Sequence, residues 1–98
     1  MSPKLNEIVE KLLSLKTEVK TRFKAELKGL FGSFVRFEED PASDIDILVV
    51  FTEDANLFDF AGLSLFLEEK LNRSVDIVPE NSIRIELKDE ILREVVSL

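Results

Sequence analysis

Two aspartates, Asp44 and Asp46, open the clearest strand of the chain, "SDIDILVVF". On an extended backbone, residues two apart project from one face, roughly 6.5 to 7 Å apart at Cα. Carboxylates at that spacing can converge on one hard cation or bracket two. A plainer reading makes Asp44 a turn cap and Asp46 a polar strand end. The context favours the cation: Asp46 stands between Ile45 and Ile47, with no Lys or Arg near it in sequence, and a carboxylate there needs a partner. Asp76 is a third candidate, alone in the apolar run "VDIV". Its plain reading is an edge-strand aspartate facing water. If the two strands lie side by side, the three carboxylates form a site for two magnesium ions bound with a triphosphate.

Gly32 and Ser33 come a dozen residues before the aspartates. A glycine after a strand lets the backbone approach a ligand closely. Ser33 would then open a helical turn, where N–H groups and a hydroxyl can bind phosphate. Arg36 follows one turn on, placed to meet a phosphate oxygen. Taken alone, Gly32-Ser33 is an ordinary tight turn with a serine cap.

Composition narrows the chemistry. The 98 residues suit a single domain, 1–98, and 45% apolar content can fill one core. No cysteine and no histidine are present, which removes disulfides, thiolate metal sites and the commonest general base. A metal here must be held by oxygen, so magnesium or manganese is expected. A net charge of −7 opposes autonomous nucleic-acid binding but admits a nucleotide that arrives with a divalent cation. The longest apolar run, Ile47 to Phe51, is too short to span a membrane, and the charged N-terminus is unlike a signal peptide. The expected location is the cytoplasm.

The elements that must position these residues follow from periodicity. Residues 4–24 read as a helix, with Leu5, Ile8, Val9, Leu12, Leu13, Val19 and Phe23 at three- and four-residue intervals. That stripe reads as core first; it could also seat a second copy in a homo-oligomer. A short strand over Leu27–Phe31 runs into the Gly32-Ser33 turn, and a helical turn is expected over Ser33–Glu38. Asp44–Phe51 is a strand whose two faces both become apolar after Asp46, so it is expected to be central and covered on both sides. Leu57–Leu71 is a second helix, with Phe60, Leu63, Leu67 and Leu71 along one side. Val75–Val78 is a strand closed by Pro79. The remainder reads as a C-terminal helix carrying Ile83, Leu87, Ile91 and Val95 four apart, although "IRIEL" alternates like a strand. The order predicts an α/β (α+β) domain with a small mixed sheet flanked by helices.

Taken together, "GSFVR", "SDIDILVVF" and "VDIV" resemble the signature of the polymerase-beta-type nucleotidyltransferases, and among them the minimal, MNT-type members. The likeness covers nearly the whole chain. It implies a polymerase-beta-like fold, with Gly32 and Ser33 as the phosphate-binding pair and Arg36 as the arginine that follows it. It also implies Asp44 and Asp46 as metal ligands, and Asp76 as the third carboxylate, which helps to activate the attacking hydroxyl. The family often has glycine after that arginine, where this chain has Phe37. The implied activity is magnesium-dependent transfer of a nucleoside monophosphate, AMP from ATP or another NTP, to a hydroxyl. The implied partner is a small helical HEPN protein in a toxin–antitoxin pair. The alternative is a binding module that neutralises a partner by contact, with catalysis weak or lost.

Overall fold

The computed structural model describes residues 3–32, 35 and 44–98. Helix α1 spans Pro3–Phe23 and strand β1 Ala25–Phe31; β2 spans Ile45–Phe51, α2 Leu57–Leu71 and β3 Val75–Pro79. A 3-10 turn over Glu80–Ser82 leads to α3, Ile85–Glu94, and to a two-residue strand β4, Val96–Ser97. The sheet order is β3-β2-β1-β4: β2 runs parallel to β3 and antiparallel to β1, and β4 is antiparallel to β1.

One face of this mixed sheet carries the core. Leu5, Ile8, Leu12, Val19 and Phe23 of α1 bury their side chains, as do Leu63, Phe66, Leu67 and Leu71 of α2. They close over Ala25, Leu27, Ile45, Ile47, Val49, Val75 and Ile77 of the strands. Alternation in β2 sends Ile45, Ile47 and Val49 into that layer and leaves Asp46 and Leu48 on the reverse face. Leu48 is nevertheless buried, so β2 is central, and its middle is covered on both sides.

Local chemistry fixes α2. Asn56 caps its start: the Asn56 side chain accepts from the Asp59 N–H, and Asp59 accepts from the Asn56 N–H in return, a capping box. Its end turns at Asn72 in the left-handed region, φ 54°. Phe66, not anticipated as core, packs its ring 5.2 Å from that of Phe23. On the outer side of α2, Leu57, Phe58 and Leu65 are exposed.

The C-terminus departs from the single helix read from the sequence. Ile83 and Arg84 are extended, so α3 starts only at Ile85, and it buries none of its residues. Helical spacing of Ile83, Leu87, Ile91 and Val95 therefore does not make a core face. Val95 is extended too, and Val96–Ser97 pairs with Gly29–Leu30 of β1, where the Leu98 N–H donates to the Lys28 carbonyl. β-Branched residues beside an open sheet edge complete the sheet in place of a last helical turn. Gly29 makes the approach feasible, because a Cβ there would overlap Val95 and the Val96 carbonyl.

Candidate active site

The carboxylates gather where β2 and β3 begin. Ile45 N–H donates to the Ser74 carbonyl at 3.0 Å, and this bond starts the parallel pairing. From it the register runs Ile45 to Val75, Asp46 to Asp76 and Ile47 to Ile77. Asp46 and Asp76 are thus direct neighbours across two strands and share one face, the face opposite the core. Asp46 is half-buried and Asp76 exposed; Asp44, also exposed, immediately precedes β2.

Gly32 approaches from the other side. Phe31, the last residue of β1, lies opposite Asp46. Gly32 follows with φ +83°, in the left-handed region, and a Cβ on it would overlap Asp46 Oδ2. The bare backbone of Gly32 therefore lies directly against the Asp46 carboxylate. The sequence predicts that this glycine admits a ligand; what its bare backbone admits in the structure is the Asp46 carboxylate. Ser33, Arg36 and Phe37 lie outside the described residues, as does most of the helical turn expected over Ser33–Glu38.

Among the described residues, no three carboxylates stand close enough together to hold a metal ion as the side chains are placed. What the fold brings into register is the pair Asp46 and Asp76, with Asp44 flanking it. Two adjacent like charges on one face repel, and a cation between them relieves that repulsion. The donor set suits a hard divalent ion, because the groups present are carboxylate oxygens and the chain has neither histidine nor cysteine.

Sequence reasoning missed Glu68. Its Oε2 accepts the Val75 N–H at 3.1 Å, a hydrogen bond from α2 to the first residue of β3. A carboxylate bound to a backbone amide seven residues on leaves no pattern in the sequence, so no signal could have singled it out.

A nucleotidyltransferase-domain family profile matches residues 6–98. The chain belongs to the nucleotidyltransferase family. Within that family it is 41% identical over 92 residues to protein adenylyltransferase MntA of Thermococcus cleftensis, covering 94% of this chain and 93% of the relative. A Methanocaldococcus jannaschii protein, provisionally named a protein adenylyltransferase, is 43% identical over 96 residues, covering 96% of this chain and 97% of that one. Among solved structures, a provisionally assigned minimal nucleotidyltransferase superposes with a TM-score of 0.74 at 38% identity, covering 91% of this chain and 94% of that chain. A toxin–antitoxin structure with AMP-PNP gives 0.71 at 25% identity, covering 90% of this chain and 69% of that chain. The expected α/β fold and nucleotidyltransferase assignment both stand. Among the described residues, no helix is long and apolar enough to cross a membrane.

Proposed function

We propose that this nucleotidyltransferase moves AMP from ATP onto a hydroxyl of a protein acceptor, and that the acceptor is a small helical HEPN-type partner in a toxin–antitoxin pair. The observation that carries the reading is the matched placement of Asp46 and Asp76, with the Gly32 backbone against Asp46. The names of the relatives, protein adenylyltransferase and toxin–antitoxin complex, support the choice of nucleotide and acceptor class.

Asp44, Asp46 and Asp76 would hold the magnesium. When bound, that ion neutralises charge on the triphosphate and on the attacking and leaving oxygens. The residues of the chain do the rest. Gly32 keeps side-chain bulk away from the Asp46 carboxylate. Ser33 and Arg36 are assigned to the β- and γ-phosphates. Asp76, exposed at its strand, would take the proton of the acceptor hydroxyl. The acceptor oxygen then bonds to the α-phosphorus, the bond from that phosphorus to the bridging oxygen breaks, and pyrophosphate leaves.

Neutralisation by contact alone is the second reading, favoured by the exposed apolar face of α2 at Leu57, Phe58 and Leu65. The test is transfer of labelled AMP from ATP to the co-purified partner, with magnesium and with EDTA, for wild type and Asp46→Asn. Magnesium-dependent labelling lost in the variant is expected. No labelling by wild type, with full neutralisation by the variant, would sink the catalytic reading and leave contact.

A further inference from the structure

Among the described residues, β3 is an edge strand, paired with β2 on one side only. In a parallel pair, a residue whose neighbour uses both its backbone groups across the ladder turns its own N–H and C=O outward. Val75 is such a residue: Ile45 lies opposite it and donates to the carbonyl of Ser74, the residue before it. The Val75 N–H therefore points away from the sheet, where an edge strand has no backbone acceptor. Glu68 of α2 supplies one. Its Oε2 meets that N–H at 3.1 Å, and the Glu68 side chain is partly buried rather than loose in water. The contact closes the Asn72–Ser74 turn and grips the strand one residue before Asp76.

We propose that Glu68 is a positioning residue for Asp76. The inference rests on the catalytic reading above, in which Asp46 and Asp76 act on the same ion. Asp46 is held from both sides, by β1 and by β3. Asp76 has β2 on one side only, and its strand would be free to fray at its start. A carboxylate–amide bond at Val75 fixes that start against α2, which the core anchors through Leu63, Phe66, Leu67 and Leu71. The separation of the two carboxylates is thereby set by a helix outside the sheet. Glu68 does not touch substrate; it acts through the backbone.

The test uses the full chain, Mn²⁺ as the probe ion and AMP-PNP as the nucleotide. Glu68→Ala removes the acceptor, Glu68→Gln keeps an acceptor while removing the charge, and Asp76→Asn reports the site itself. Three readouts are taken: Mn²⁺ affinity by water-proton relaxation, exchange of the Val75 amide by NMR, and the KM and kcat of transfer. Glu68→Ala is expected to weaken Mn²⁺ binding by about tenfold, the low end for residues that orient a metal ligand. It should also speed Val75 exchange, while Glu68→Gln stays within about twofold of wild type, since the amide keeps its hydrogen bond. Unchanged Mn²⁺ affinity in Glu68→Ala, despite faster Val75 exchange and with Asp76→Asn impaired, would show that Glu68 merely closes a turn and would overturn the inference. Unchanged Mn²⁺ affinity in Asp76→Asn would overturn the catalytic reading itself, and the inference with it.

Discussion

Asp46 of β2 and Asp76 of β3 stand opposite one another across a parallel strand pair, one strand spacing apart, about 4.8 Å along the hydrogen-bonding direction. In metal-free buffer Asp76 faces a like charge, so Asp76→Asn, of the two asparagine variants at Asp46 and Asp76, should leave the melting temperature unchanged or raise it. Magnesium and AMP-PNP together should stabilise wild type and not the variants, since only a protein that binds the ligand gains from it. Transfer by Asp46→Asn or Asp76→Asn should fall by about 10²-fold or more, as loss of several kcal/mol of charge stabilisation requires. The double variant should lose little beyond either single one, because the two act as a unit. Calorimetric melts and single-turnover labelling check all four statements. Additive losses would mean that the carboxylates serve separate ions.

Gly32→Ala puts a methyl group where Asp46 Oδ2 lies and holds alanine at φ +83°. The left-handed conformation alone costs about 1–2 kcal/mol for a residue with a Cβ. For a domain of this size, a loss of that order lowers the melting temperature by about 4–8 °C per kcal/mol. Transfer should fall further than stability does, because the displaced group is Asp46 itself. Melts and labelling on the same preparation separate the two effects. A variant that melts lower but transfers normally would place the strain away from the site.

A pH effect is expected at the far end of β2. Thr52 donates its hydroxyl to the Asp54 carboxylate, the Asp54 backbone N–H adds a second bond, and Lys24 lies 3.6 Å away. These contacts hold the Asp54 carboxyl below its ordinary value, with the Thr52 hydroxyl the largest cause. A lowered folded-state value gives stability that is present above the ordinary carboxylate range and is lost as pH falls through the folded-state value. The gain is small, because Asp54 is exposed to solvent screening. Carboxyl-carbon NMR titration should find Asp54 below the ordinary aspartate value, and Thr52→Val should move it back up. An unmoved titration in that variant would assign the shift to Lys24 instead.

The parts of this fold that were legible in sequence are those set by local chemistry. The bounds of α2 follow from a capping residue at one end and Asn72 at the other, and the structure reproduces them. Asp46 and Asp76 were recognisable as lone charges in apolar strands, but their pairing was conditional on strand adjacency, which depends on the α2 crossover. Two features escaped because they depend on tertiary partners. Val96–Ser97 becomes a strand only because β1 offers an open edge. Glu68 matters only because β3 turns an amide toward it. A side chain bound to backbone has no complementary residue type to look for.

That open edge gives the last prediction. β4 covers one side of β1 at Gly29 and Leu30, and the Leu98 carbonyl also accepts from Lys16 Nζ of α1 at 3.1 Å. Val96→Pro fixes φ and removes a backbone N–H within the two-residue strand, so β4 should detach. The apolar edge of β1 is then exposed, and unpaired edges recruit other chains. Stability should fall by about 1–3 kcal/mol, the range for disrupting a backbone-level contact, and the protein should self-associate as its concentration rises. Sedimentation velocity at two concentrations, with melts alongside, tests this. Mn²⁺–nucleotide affinity should stay near wild type, since Asp46 and Asp76 lie on the far side of β1 from β4. A variant that remains monomeric and loses metal binding would mean that β4 supports the site rather than the edge.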